Sequence, residues 1–153
     1  MTTVLLLNGP NLNLLGTREK SIYGEHTLES ISNAVQEKLD TASFNLLCYQ
    51  SNHEGALVDR IQQAQAESIA FILFNPAAYT HTSVAIRDAL LAVEIPFIEI
   101  HLSNPKEREA FRHLSYFSDI ALTVISGKGA MSYIEATEVA INYLNQKCTK
   151  SKN

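Results

Sequence analysis

A chain of 153 residues with 46% hydrophobic and 18% charged side chains has the size and composition of a globular domain that can enclose a hydrophobic core. No apolar run reaches the ~20 residues needed to cross a bilayer, and Val4-Leu5-Leu6-Leu7 breaks at once into Asn8-Gly9-Pro10, which reads as a strand and not as a signal peptide. A formal net charge of −4 without a dense Lys/Arg stripe argues against a nucleic-acid surface, and two distant cysteines, Cys48 and Cys148, make no disulfide framework and fit a reducing cytoplasm.

In chain order, β-rich apolar runs occur at residues 3–8, 44–49, 69–74, 96–101 and 120–125, each followed by a polar turn and a helix-like pattern. Behind Thr27, an expected N-cap, Leu28, Ile31, Val35 and Leu39 recur at helical spacing. Leu57, Val58, Ile61 and Ala64 repeat the pattern, and further helices are expected over 82–93 and 130–145, the last burying Ile134, Val139, Ala140 and Leu144. Residues 1–146 read as a single α/β domain and 147–153, with Lys147, Lys150 and Lys152, as a polar, flexible tail. The connection over 9–26 is too long for an ordinary turn and carries Gly16, Arg18, Tyr23 and Gly24, so it reads as a candidate lid.

Alternating strands and helices favour a flavodoxin-like, doubly wound, five-stranded parallel sheet with helices on both faces. Ligands of such sheets sit at the carboxyl ends of the strands, and each predicted strand here ends in polar residues: Asn8-Gly9-Pro10-Asn11, Ser51-Asn52-His53, Asn75-Pro76, His101-Leu102-Ser103 and Ser126-Gly127-Lys128-Gly129. Asn, Ser, His and Arg on one rim suit a small polyoxygenated anion, although any single Asn or Ser there could simply cap a helix or shape a turn.

Glu99 and His101, two apart in a strand, project from the same face, so the carboxylate can orient the imidazole as a proton donor; an ordinary surface ion pair fits the same spacing. Arg18 can lower the pKa of Tyr23 and make it a base, or the two can pack and snorkel separately. Thr80-His81-Thr82-Ser83 opens a predicted helix, where its hydroxyls can simply cap exposed amides and a function is optional. His53-Glu54-Gly55 lacks the second histidine of HExxH, and the five histidines are not spaced as a metal site, so no metal is expected. Gly127-Lys128-Gly129 is only a fragment of a phosphate loop and reads as a glycine turn into the last helix.

Taken together, Asn8-Gly9-Pro10-Asn11-Leu12-Asn13-Leu14-Leu15-Gly16-Thr17-Arg18-Glu19 resembles the opening signature of the type II dehydroquinases. Ile22-Tyr23-Gly24, Gln50-Ser51-Asn52-His53-Glu54-Gly55, Asn75-Pro76, Tyr79-Thr80-His81-Thr82-Ser83, Glu99-Ile100-His101-Leu102-Ser103-Asn104, Phe111-Arg112-His113 and Ser115-Tyr116 extend the resemblance in order. It implies reversible dehydration of 3-dehydroquinate to 3-dehydroshikimate, in shikimate-type metabolism, by anti elimination through an enolate and without a cofactor. Tyr23 would abstract the proton beside the ketone, with Arg18 favouring its phenolate. Asn11 would hold a water at the enolate oxygen, and His101, oriented by Glu99, would protonate the departing hydroxyl. Ser103 and the backbone of Leu102 would fix the carboxylate, Asn75, His81 and Arg112 the ring hydroxyls, and Arg108 the closed lid. The resemblance further implies a homo-oligomer, a dodecamer built from trimers, in which Asp88 reaches a neighbour's site.

Two departures from the resemblance stand out: Ala77, where glycine is usual, and the segment Ser126-Gly127-Lys128-Gly129-Ala130-Met131-Ser132. The competing functional class is a non-catalytic flavodoxin-like module for a small anion or nucleotide. A receiver-type regulator fits less well, because Asn8-Gly9-Pro10-Asn11 stands where its acidic cluster would follow the first strand.

Overall fold

A computed structural model describes residues 1–17, 19–23 and 25–151, without the side chains of Lys20, Tyr23 and Ser151. Strands β1 (Thr3–Asn8), β2 (Asn45–Gln50), β3 (Phe71–Asn75), β4 (Phe97–His101) and β5 (Thr123–Ser126) form one sheet in the order β2-β1-β3-β4-β5, and every pair is parallel. Helices α2 (Leu28–Asp40), α3 (Glu54–Ala66), α4 (Val84–Val93) and α5 (Met131–Ser151) cover it, while a short α1 (Lys20–Tyr23) lies in the long first connection. The flavodoxin-like arrangement expected from the alternation is the one observed.

The period-2 rule sorts the core into two layers. Val4, Leu6, Phe71, Leu73, Ile98 and Ile100 face the layer that contains α2 and α5, whereas Leu5, Leu7, Ile72, Phe74 and Phe97 face α3 and α4. The three central strands are buried along almost their whole length, as expected of strands covered on both faces, while the edge strands β2 and β5 keep exposed positions. Burial of α2 through Ile31, Val35 and Leu39, and of α3 through Leu57, Ile61 and Ala64, follows the predicted stripes. Thr27 caps α2 as expected: its hydroxyl accepts from the Ser30 amide and the Ser30 hydroxyl accepts from the Thr27 amide.

Three local expectations are corrected. The apolar run at 120–122 is a turn and not the start of a strand, because the Ile120 and Ala121 amides bond back to the Phe117 carbonyl; β5 begins at Thr123. The segment ahead of α4 is a 3-10 helix, Ala77–His81, and α4 itself starts after Ser83, whose buried hydroxyl accepts from the Ile86 amide. In α5 the buried stripe is Tyr133, Ala136, Ala140 and Leu144, with Ile134 and Val139 as half-buried flanks. Two alanines at the centre of that stripe let the helix approach the sheet closely. Residues 147–151 are helical as the end of α5.

Candidate active site

The carboxyl ends of β1, β3 and β4 surround a cleft of about 150 Å³, lined by Asn11, Asn75, His81, His101, Leu102, Ser103, Arg108 and Arg112 together with Pro10, Leu12, Ala77, Ala78 and Pro105. Drug-sized ligands occupy pockets of roughly 300–1,000 Å³, so this cleft suits a small, compact molecule. Its backbone walls stand very close together. The Gly9 amide donates to the Asn75 carbonyl at 2.8 Å, and a Cβ at Gly9 would lie 2.4 Å from the Pro76 carbonyl oxygen, so only glycine fits there.

Most residues nominated from sequence meet in this cleft. Asn11 has a left-handed backbone, φ 68°, and its amide donates to the Asn52 side chain at 2.9 Å. Gln50 Nε2 donates to the same Asn52 Oδ1 at 3.2 Å, so the loop after β2 holds the loop after β1 in place. Arg108 donates to the Ser103 hydroxyl at 3.3 Å. Arg112 donates through Nε to Glu109 at 2.5 Å, which leaves the other nitrogens of its planar fork for a ligand. Asp88 lies on the exposed face of α4 and does not line the cleft of its own chain. Arg18 and the side chain of Tyr23 lie outside the described residues.

Glu99 and His101 form the pair expected from their spacing: the imidazole Nε2 is 2.5 Å from Glu99 Oε2, and the two residues are 7% and 1% exposed. The carboxylate also accepts from Thr80 Oγ1 at 3.2 Å, from Ser118 Oγ at 2.8 Å, and from Ser115 Oγ at 2.9 and 3.0 Å. Burial alone pushes this carboxyl's pKa up, but the hydrogen bonds from His101, Ser118 and Ser115 and the imidazole's charge outweigh it and hold Glu99 below the ordinary carboxylate value. An ionised Glu99 requires Nε2 of His101 to carry a proton, so Nδ1 is the nitrogen left to exchange one with the cleft.

His81 has the opposite character. Burial, ahead of the carbonyl bond and neighbouring charges, lowers its pKa and favours the neutral ring. Its Nδ1 lies 2.7 Å from the Leu114 carbonyl, which can only accept, so Nδ1 carries the proton and Nε2 is an acceptor suited to a ligand hydroxyl.

The segment carrying Arg112, Ser115 and Ser118 is itself fastened to the scaffold. Arg87 on α4 donates to both oxygens of Asp119 and, at 2.7 Å, to the Tyr116 carbonyl, while the Tyr116 amide donates to the Thr80 carbonyl at 2.8 Å. Phe117 is fully buried against Phe74, their ring centroids 5.8 Å apart. Among the described residues, no group of three or more His, Cys, Asp or Glu converges as a metal-ligand set.

Sequence reasoning did not nominate Thr80, Ser115 and Ser118 as partners of Glu99, nor Asn8 and Tyr133, which bond each other beneath the cleft. The serines reach Glu99 across 16 and 19 residues of chain, and no local pattern signals such a contact. Tyr133 did leave a signal. It is in phase with Ala136, Ala140 and Leu144, and a phenol on the buried face of a helix must find a polar partner.

Comparisons with known proteins agree with this architecture. The family model described as dehydroquinase class II matches residues 2–141. A relative from Ralstonia nicotianae, named 3-dehydroquinate dehydratase 1, is 58% identical over 140 residues, 92% of this chain and 90% of that protein. The 3-dehydroquinate dehydratase of Hahella chejuensis is 56% identical over 147 residues, covering 96% of this chain and all of its own. Among solved structures, a type II dehydroquinase from Butyrivibrio crossotus superposes with a TM-score of 0.88 at 46% identity, covering 92% of this chain and 97% of that one. With its sheet order, its strand-end cleft and a family match over nearly its whole length, this chain belongs to the class II dehydroquinase family.

Proposed function

We propose that this enzyme dehydrates 3-dehydroquinate to 3-dehydroshikimate, reversibly, by anti elimination through an enolate. The observation that carries the reading is the buried Glu99–His101 pair, whose imidazole lines a small cleft together with Asn11, Asn75, His81, Ser103, Arg108 and Arg112. A non-catalytic anion-binding module has no need of a carboxylate kept ionised behind an imidazole.

In this reading Tyr23, as its phenolate beside Arg18, removes the proton on the carbon next to the ketone, and the electron pair moves to the ketone oxygen as an enolate. A water held by Asn11 stabilises that oxygen. The enolate then collapses, the carbon–oxygen bond of the leaving hydroxyl breaks, and His101 supplies the proton that lets it depart as water. Glu99 stabilises the imidazolium before transfer and holds the ring in one orientation afterwards. Ser103 and the Leu102 backbone hold the substrate carboxylate, and Asn75, His81 and Arg112 hold the hydroxyls; their contribution is orientation. Arg108 ties Ser103 to the region that meets the closing lid.

The reading extends to a cytoplasmic enzyme of shikimate-type metabolism that needs no cofactor. It assembles as trimers within a dodecamer, in which Asp88 of one subunit approaches the site of the next. The test is an assay of the purified protein with dehydroquinate and a chelator present, following enone absorbance. Turnover that survives the chelator is expected, and Tyr23→Phe should lower kcat at least ~100-fold with the oligomer intact, the scale of a lost general base. Near-normal turnover by Tyr23→Phe would remove Tyr23 as the base.

A further inference from the structure

A chain of buried neutral groups lies directly beneath the cleft, on the opposite face of the sheet from Glu99. Asn8 and Asn75 end β1 and β3 two residues beyond Leu6 and Leu73, so the period-2 rule turns both amides toward α5. There the Tyr133 hydroxyl donates to Asn8 Oδ1 at 2.7 Å and accepts from Asn75 Nδ2 at 2.8 Å. All three residues are at most 2% exposed.

The polarity of this chain is fixed from one end. The Ala77 amide, a backbone donor that cannot reverse, donates to Asn75 Oδ1 at 3.1 Å. Asn75 must therefore turn its Nδ2 toward Tyr133, the phenol must accept there, and its single proton must go to Asn8. Burial pushes the phenol's pKa well above its ordinary value, so that proton stays in place. Asn75 uses its oxygen on Ala77 and one N–H on Tyr133; its second N–H has no partner among the described residues, and Asn75 lines the cleft.

From this geometry we infer that Tyr133 is a positioning residue for substrate binding: it pins the Asn75 amide so that the cleft is offered an N–H donor, and thereby selects a ligand oxygen that accepts at that point. The inference deepens the proposed function, because it assigns a chemical sense to one of its binding contacts. Tyr133 itself touches no substrate. With the hydroxyl gone, Asn75 loses one of its two anchors and must either leave an N–H unpaired in an apolar site or rotate it into the cleft.

The test is a double-mutant cycle in the assembled enzyme, read as kcat and KM for dehydroquinate alongside the melting temperature. Tyr133→Phe is expected to raise KM about tenfold with kcat changed less than about threefold, the pattern of lost uniform binding. In an Asn75→Ala background the same change should add less than about twofold, because its route to substrate has been removed. A purely structural role would instead lower the melting temperature with KM unchanged, or carry its full effect into the Asn75→Ala background; either result overturns the inference. Asn8→Ala keeps the hydroxyl but takes away the acceptor that directs it, and should raise KM about threefold, again only while Asn75 is present. If Tyr133→Phe does not fold, this variant decides, and an unchanged KM rejects the inference. Asn75→Ala with wild-type kcat/KM would sink the inference too, while dehydroquinate turnover by the unaltered enzyme tests the proposed function separately.

Discussion

Two polar clusters flank the carboxyl edge of the sheet, one on each face, and they are built from different chemistry. On the α4 face a carboxylate is surrounded by three hydroxyls and an imidazole. On the α5 face two amides share one phenol, and no member carries charge. In the proposed mechanism the charged cluster keeps a proton available beside the cleft, which requires an ion, and an ion in that setting requires every donor it has. The neutral cluster only has to hold an amide in one sense, which dipoles do without the desolvation cost of a charge. In that reading chemistry and orientation are separated across the thickness of one sheet.

The sharpest way to break the comparison is to remove the ion. Glu99→Ala leaves His101 and three hydroxyls facing a cavity. Breaking a buried pair by deleting one partner costs about 3–5 kcal/mol, so urea unfolding should show a loss of that size. If His101 is the acid of the proposed mechanism, the disoriented ring should also cost at least ~100-fold in kcat/KM. A loss of stability without the kinetic loss would reduce the pair to a structural role and erase the contrast with the α5 face.

A smaller change tests whether the hydroxyls serve the charge. Ser118→Ala removes the shortest hydroxyl bond to Glu99 and should cost about 1.5–3 kcal/mol at neutral pH, as hydrogen bonds to charged groups do. The folded pKa of Glu99 lies below the ordinary 4.5, so its contribution to stability is complete above about that pH and is lost as pH falls through the folded value. Ser118→Ala raises the folded pKa toward the ordinary value, so part of the acid-labile stabilisation is already missing. Unfolding curves from neutral pH down through the acidic range should therefore converge for the two proteins. A constant gap would mean that Ser118 acts through packing alone.

The neutral face offers the smallest effect. Ala77, which gives Asn75 its backbone anchor, has φ 52°, a left-handed conformation that a side chain disfavours by about 1–2 kcal/mol. Ala77→Gly removes that strain at some entropic cost in the unfolded chain, and a gain of about 0.5–1 kcal/mol is expected in denaturant unfolding. Destabilisation would show that the Ala77 methyl contributes packing that outweighs its strain. This conformation is one that glycine, the residue expected there from the resemblance, adopts without strain.

The sequence legible as pattern was legible because its causes are local. Apolar periodicity located all five strands and four principal helices to within a few residues, Thr27 announced its cap, and the spacing of Glu99 and His101 placed them on one face. The failures have local causes as well: Ile120-Ala121-Leu122 is as apolar as a strand, yet the amides of Ile120 and Ala121 are taken by turn bonds to the Phe117 carbonyl. Most of the cleft's wall was nominated from strand ends and from family resemblance, and Asn11, Asn75, His81, His101, Leu102, Ser103, Arg108 and Arg112 do converge.

By itself, then, the sequence determined the alternation, the two-sided core and the rim on which polar residues collect, since these follow from periods of 2.0 and 3.6 and from turn chemistry. Only the tertiary structure decided who stands behind that rim. Ser118 reaches Glu99 across 19 residues and Tyr133 reaches Asn8 across 125, and such partners are chosen by how the sheet and its helices stack, a choice no local interaction encodes.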